Sequence, residues 1–369
     1  MTRLLMAAKA AAQGEPGAAA RFCGREDLSK ATFQDALSHN GVEGELADVL
    51  AYGVALLDGK SAGAAEALIA LARYSRSVGR FGAGQGAFLV PRYGASELPQ
   101  AFCRAAAVKG ALYMLRTSVE AVAQAEGETP TLRLSSGESV QADAVLLDSA
   151  SAARLVSSGG AGEAEAADSG PRVVGRLAAV LDGPVTPKGD APGDKDIAVV
   201  VLPPNSGGVG NVHPVRGLQV GGATAQCPAG QCVLYLATRG DDVEDVEGEA
   251  LEALLKTALE AVCGATKTPP RPLWTLFTMQ RVHNDSSGGG GEGRLATGAQ
   301  LGVDLGCEAS LAAARDAWRQ LAGAVGAEEG EDRRELFPAD EGGEAGSDDD
   351  DLALLQEGLD DDLDLEGDF

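Results

Sequence analysis

The side chains able to do covalent or metal chemistry are few in this sequence and badly placed for it. His39, His213 and His283 each stand alone. No two lie within a helical turn of one another, so none forms the pair that holds a metal. His283, beside Asn284 and Asp285, reads as a solvated loop residue. The six cysteines (Cys23, Cys103, Cys227, Cys232, Cys263 and Cys307) are scattered, which is the pattern of reduced thiols. Cys227 and Cys232 bracket Pro-Ala-Gly-Gln, but no second thiol or imidazole pair lies close by. Two ordinary sheet-edge cysteines fit better than a zinc site. Gly82-Ala-Gly84-Gln-Gly-Ala87 matches G-x-G-x-x-A on paper. A phosphate cradle needs a strand before that turn and a helix after it, so that helix N–H groups face the phosphate. Here a helical stretch precedes and Phe88-Leu-Val-Pro91 follows, so a flexible turn is expected. Gly302–Gly306 is as weak, and there is no P-loop or nucleophile elbow. Carboxylates are plentiful, yet nothing sets two of them across a cleft. No catalytic centre, cofactor or metal site is legible.

The elements that would position a site fall into three blocks. Residues 1–80 read as helical throughout. Met1–Gln13 is rich in helix formers and Gly14–Gly17 breaks it. Thr32–Leu37 and Glu45–Leu57 follow, with Leu46, Val49, Leu50 and Val54 at helical spacing. Ser61 is the expected N-cap of a helix running to Val78, with Leu68, Leu71 and Tyr74 on one face. After Arg80 the pattern mixes. Phe88–Pro91 is short and extended, and Glu97–Leu115 is a helix with Pro99 near its start. Thr131–Leu134 and Ser139–Leu147 form a hairpin feeding a buried strand. Residues 150–170 form a loop. Strands are expected at Arg172–Leu181, Asp196–Leu202, Gln231–Thr238 and Leu273–Met279, and helices at Val243–Val262 and Glu308–Ala324, with a glycine loop at Ser286–Gly293. Residues 327–369 are expected to be a disordered acidic tail, because runs such as Asp348–Asp351 repel themselves, with a short partner-binding motif at their sparse Leu and Phe residues as the second reading.

Charge narrows the function classes. The formal net charge is −25, and residues 339–369 hold fourteen Asp and Glu with no Lys or Arg, which leaves −11 elsewhere. Phosphate backbones need a basic footprint, so no nucleic-acid partner is expected. No polybasic patch draws the chain to a membrane surface, and no run of apolar residues is long enough to span one. A cytoplasmic protein is expected. Aromatic residues make up only 4% of the chain, so much of its apolar content is Ala and Gly, which bury little area each.

One stretch carries a resemblance. Residues 73–119 contain, in order, Arg80-Phe81-Gly82, Phe88-Leu-Val-Pro91, Tyr93-Gly94, Glu97-Leu98-Pro99-Gln100, Phe102-Cys103-Arg104 and Tyr113-Met114-Leu115. This is similar to the signature block shared by Rab escort proteins and Rab GDP-dissociation inhibitors. Leu273–Met279 resembles the tryptophan-containing strand of the escort type, and Leu305–Leu321 its closing helix. The acidic tail and Phe102-Cys103-Arg104 also sit nearer the escort type.

The resemblance implies an α/β (α+β) fold: an FAD/NAD(P)-binding-like large domain with an all-helical inserted domain. Residues 1–80 would be part of the helical domain and residues 81–326 the remainder of the large domain, incomplete at its N-terminus. It implies no enzyme activity and no cofactor. The partners it implies are GDP-bound Rab GTPases, Rab geranylgeranyltransferase and the prenyl lipid of the Rab, with transient membrane association. Rab-binding roles would fall on Arg80, Tyr93, Glu97 and Arg104. Two readings stand for Glu97 and Arg104: a clamp on the partner, or an internal pair that fixes the loop. Tyr93 is expected to pack into the loop base, with partner contact as its second reading. Arg3 aligns with an arginine that docks the prenyltransferase, and it also reads as a plain exposed helix residue. Leu46, Leu50, Leu68 and Leu71 would shelter the lipid or simply form the core. A Rab GDP-dissociation inhibitor and a flavin-dependent oxidoreductase are the alternatives.

Overall fold

The structure is a computed structural model. It describes Leu4, 6–8, Ala10, 17–25, 27–82, 86–123, 129–148, 150–152, Leu155, 172–185, 196–240, 248–282, 294–298, Val303 and 308–325. The expected acidic tail, the glycine loop at Ser286–Gly293 and most of the loop at 150–170 lie outside those residues. Two compact units divide the chain: the first takes in Met1–Pro91 and Val200–Pro214, the second Arg92–Val199 and Val215–Ala339.

The first unit is helical. It contains α1 (Ala18–Cys23), α2 (Phe33–His39), α3 (Gly44–Asp48) and α4 (Ala64–Ser77), with a π-helical turn at Val49–Val54 between α3 and α4. A capping box starts α2. Thr32 accepts from the Asp35 N–H, and the Asp35 carboxylate accepts the Thr32 N–H at 2.9 Å. Thr32 also bridges Gly63 in an antiparallel contact. That contact brings the start of α4 against the start of α2, where the Ala64 N–H donates to the Ala31 carbonyl at 2.8 Å. The helix therefore begins at Ala64 and is capped at Gly63, not at the expected Ser61. Its core face is as expected for Leu68 and Leu71, which are buried with Phe22, Phe33, Leu37 and Leu50. Leu4, Ala7 and Ala8 join the same cluster.

The expected face of residues 45–57 is wrong in part. Leu46 and Val49 are exposed, whereas Ala47, Leu50, Ala51 and Tyr52 are buried. From Val49 on, the π turn holds nearly an extra residue per turn, which brings Ala51 and Tyr52 to the buried side beside Leu50; Leu46 lies ahead of it, in α3, and its exposure does not come from the turn.

The second unit is built on sheet. A five-stranded sheet runs β6-β7-β8-β5-β9, from Ile197–Leu202, Val215–Gly221, Cys232–Arg239, Arg172–Leu181 and Pro272–Val282; Val200–Leu202 of β6 are counted with the first unit and the rest with the second. β7 pairs with β8, and β5 with both β8 and β9, all antiparallel. Helix α6 (Gly248–Gly264) packs on one face. Gly175 permits this approach, since a Cβ there would meet Leu251 Cγ and Cδ2 at 2.6 Å. A hairpin sheet joins β1 (Val119–Ala123), β2 (Thr131–Leu134) and β3 (Ser139–Gln141).

The segment Ser139–Leu147 is not one strand. β3 stops at Gln141, and β4 (Val145–Asp148) leaves to pair in parallel with β10 (Leu295–Gly298), about 150 residues further on. Helix α7 (Glu308–Val325) packs against β10 through Ala317 and Leu321. Strands β1, β7 and β10 had no clear signal. β7 carries Arg216, Gly217, Gln219 and Gly221 in seven residues, yet six of the seven are buried. Its lattice comes from its neighbours rather than from its own alternation.

Candidate partner-binding surface

The segment after α4 turns sharply. The Ser77 hydroxyl donates to the Arg73 carbonyl at 2.9 Å, and the Arg80 N–H donates to the Ser77 carbonyl at 3.3 Å. Gly79 has φ 75° and Gly82 φ 141°, which only glycine adopts without strain. Arg80 is exposed, with its guanidinium 6.0 Å from the Phe81 ring centroid. Phe88 stands edge-on to Tyr74 at 6.3 Å. Phe88–Pro91 forms no strand. Ala83, Gly84 and Gln85 lie outside the described residues. The turn that precedes them follows a helix, which is the wrong context for a phosphate cradle.

The rest of the motif block, Tyr93 to Arg116, belongs to the second unit. Tyr93 sits at φ 66°, a conformation rare for a tyrosine. Its N–H donates to the Thr224 carbonyl at 2.9 Å, which pins the loop by backbone. The ring does not pack into the loop base as expected. It is 65% exposed, with the Arg92 guanidinium 5.7 Å from its centroid.

Helix α5 (Glu97–Val108) starts without a side-chain cap, but Glu97 in its first turn favours the positive helix end. The helix stops short of the expected Leu115, because Gly110 takes φ 98° and Lys109 closes the last turn. No residue of α5 is buried. Glu97 and Arg104 are seven residues apart, so they share one edge of the helix about 10 Å from each other. That is too far for contact, and they make no ion pair together among the described residues. The loop-fixing reading of these two is therefore not what the geometry gives.

Beside that edge lie Leu98 and Phe102, one turn apart and half exposed. Beyond the helix, Leu112 is 92% exposed, and Tyr113, Met114 and Leu115 are exposed with it. Exposed apolar side chains grouped along one segment make it a candidate interaction surface. The Cys103 thiol lies beside the Tyr113 hydroxyl, and their hydrogen bond holds the phenol pKa above its ordinary value. A charged edge next to an apolar stripe can grip a protein; it offers no nucleophile–base pair. No cluster of three or more metal-binding side chains occurs among the described residues. Among those residues no helix is long and apolar enough to cross a membrane. Arg3 lies outside the described residues. Leu50, Leu68 and Leu71 are closed in the helical core, so core packing accounts for them.

The comparisons with known proteins agree with the segment that carried the resemblance. Residues 22–190 match the family model described as GDP dissociation inhibitor. The solved structure of a Rab GDI from Plasmodium falciparum superposes with a TM-score of 0.60 at 17% identity, covering 80% of this chain and 61% of that one. That likeness gives the fold class, a mixed helix-and-sheet architecture of the Rab GDI type. In sequence the chain is similar to Rab escort proteins and to Rab GDP-dissociation inhibitors. Its sequence is 28% identical over 293 residues to Rab escort protein 1 of Arabidopsis thaliana, spanning 72% of this chain. It is 32% identical over 107 residues to a Rab GDP-dissociation inhibitor of Pyricularia oryzae, spanning 28% of this chain. The chain covers 51% of the first relative's length and 23% of the second's.

Proposed function

We propose that this chain works as a Rab-escort-type carrier. It holds a GDP-bound Rab GTPase, offers the Rab C-terminus to Rab geranylgeranyltransferase, shields the prenyl lipid and releases the Rab at a membrane. In this reading it is a cytoplasmic, non-catalytic accessory protein that needs no cofactor. Residues 1–80 act as the helical domain and residues 81–326 as the large domain. Arg80, Tyr93, Glu97 and Arg104 touch the Rab, and Arg3 docks the transferase.

The observation that carries the reading is α5. It has no buried residue, a Glu97–Arg104 edge and an adjoining apolar stripe at Leu98 and Phe102, and it lies within the segment matched by the family model. The test is Rab binding. GDP-loaded Rab should bind more tightly than Rab loaded with a GTP analogue. The double variant Glu97→Ala, Arg104→Ala should weaken binding by at least about ten-fold, in line with truncating charged groups at an interface. Both positions are exposed, so its thermal unfolding should match the parent's. Equal binding by the variant overturns the assignment.

The match to a GDP dissociation inhibitor model supports a second reading, an inhibitor that extracts prenylated Rab without engaging the transferase. A pull-down with Rab geranylgeranyltransferase separates the two. Capture in the presence of GDP-Rab supports the escort, and no capture alongside intact Rab binding supports the inhibitor.

A further inference from the structure

The posture of Tyr93 is set from a distance. Its backbone sits at φ 66°, and strain of this kind lasts only where the surroundings hold it. Gly94 follows at φ 113°. The hold is the Tyr93 N–H on the Thr224 carbonyl at 2.9 Å. Gln226 lies against the next residue, since a Cβ on Gly94 would stand 3.8 Å from Gln226 Oε1. The loop is therefore only as fixed as the segment 222–226 on which it leans. Both belong to the second unit.

That segment is a tight turn at the end of β7. Gly222–Thr224 forms a 3₁₀ turn, closed by the Ala225 N–H on the Gly222 carbonyl at 2.9 Å, with Ala225 at φ 56°. Two side chains brace it. Thr224 is buried and donates its hydroxyl to the Gly221 carbonyl at 2.7 Å. Asp196, the residue before β6, accepts the Ala223 N–H on Oδ2, a hydrogen bond strengthened by the carboxylate charge. β6 is the neighbour of β7 in the sheet. The carboxylate reaches the turn because Gly221 has no side chain: a Cβ there would stand 3.0 Å from Asp196 Cα and collide with its carboxyl group. Gly222 is closed in as well, since its Cβ would meet Ala229 Cα at 3.1 Å. A turn braced on both sides has little freedom to carry the Thr224 carbonyl elsewhere.

We propose that Asp196 and Thr224 are positioning residues for the partner-binding loop: through the 222–224 turn they place the carbonyl that holds Tyr93 out at the surface. The identity of the partner rests on the Rab-carrier reading, while the positioning rests on this chain of bonds alone. Neither residue touches the partner. Thr224 is closed in the turn, and Asp196 acts through the Ala223 N–H.

Amide hydrogen exchange of the full chain, followed by NMR, reads the positioning without any partner. Asp196→Ala and Thr224→Val should each speed exchange of the Tyr93 amide about ten-fold, the factor expected for one lost hydrogen bond of this kind. Asp196→Asn keeps an acceptor oxygen and Thr224→Ser keeps a hydroxyl, so both should stay near the parent. Exchange along β5, at the centre of the sheet, should not change in any of the four, which separates a released loop from an unfolded sheet. GDP-Rab affinity should fall about ten-fold in Asp196→Ala and Thr224→Val, again the size of one such bond. On a Tyr93→Ala background that loss should shrink, because the side chain being placed is gone, whereas a plain loss of stability would add to it. Three results overturn the positioning role: a Tyr93 amide unchanged in both variants, Rab binding equal to the parent's despite a released amide, or losses that simply add to that of Tyr93→Ala. Should the parent bind no Rab, the carrier reading fails, and the exchange of the Tyr93 amide still decides whether Asp196 and Thr224 hold the loop.

Discussion

At the level of single residues, burial sorts the cysteines. Cys23, Cys232 and Cys263 are buried, Cys227 is half-buried and Cys103 is exposed on α5. Burial pushes the Cys232 thiol up to about 11, and the Cys263 thiol is raised as well. Only a thiolate attacks an alkylating reagent. Among the described cysteines, maleimide at neutral pH should therefore modify Cys103 first and leave Cys232 and Cys263 unmodified until unfolding. Mass spectrometry of the digested chain reads this directly. Because Cys103 lies between Phe102 and Arg104, GDP-Rab should slow its modification; an unchanged rate in the complex would put the partner elsewhere. The residues of this surface were legible as a motif, since Tyr93, Glu97 and Arg104 fall in one ordered block. Their postures were not. Tyr93 at positive φ is held by a carbonyl more than a hundred residues away, and no local pattern encodes such a partner.

For the elements, what could be read depended on where their stability comes from. Helices α4, α6 and α7 showed themselves through apolar periodicity, and β5, β8 and β9 through β-branched and aromatic runs. The π turn and β7 did not, because neighbours rather than local propensity determine them. The capping box at α2 gives a sharp prediction. Replacing Thr32 by Ala removes its cap and should cost about 1 kcal/mol, read as a shift in urea midpoint. The Thr32 N–H and hydroxyl hold the Asp35 carboxyl below its ordinary range. A carboxylate with a depressed folded pKa adds stability above its unfolded pKa and loses it as pH falls through the folded one. The penalty of Thr32→Ala should therefore be full at neutral pH and shrink below about pH 4. A penalty that stays constant down to pH 2 would argue against the box. In the sheet, Gly175→Val should destabilise by about 1–3 kcal/mol, as overpacking does, because its Cβ alone would lie 2.6 Å from Leu251 Cγ and 3.3 Å from Leu255 Cδ1, both on buried side chains.

Across the whole molecule, charge governs behaviour more than fold does. The sequence pI is about 4.4. Solubility should pass through its minimum near that pH. The capping carboxylate is depressed and still ionised there, so turbidity should appear before helical circular dichroism is lost on acid titration. The opposite order would mean that acid unfolds the chain before its charge is neutralised. The mixed α/β architecture was legible in the order of elements: a helical block, then strands interleaved with helices. The pairing of β4 with β10 was not, since parallel partners so distant in sequence share no turn that announces them.

Helix α5 keeps its shape with no side chain shut away beneath it. Its amide protons are guarded only by the helix's own ladder and by the turns at Gly94 and Gly110, so they should trade with deuterium within the earliest time points. A grip that closed over Leu98 and Phe102 would delay that trade, so the slowest-exchanging stretch of a complex could be among the fastest of the free protein.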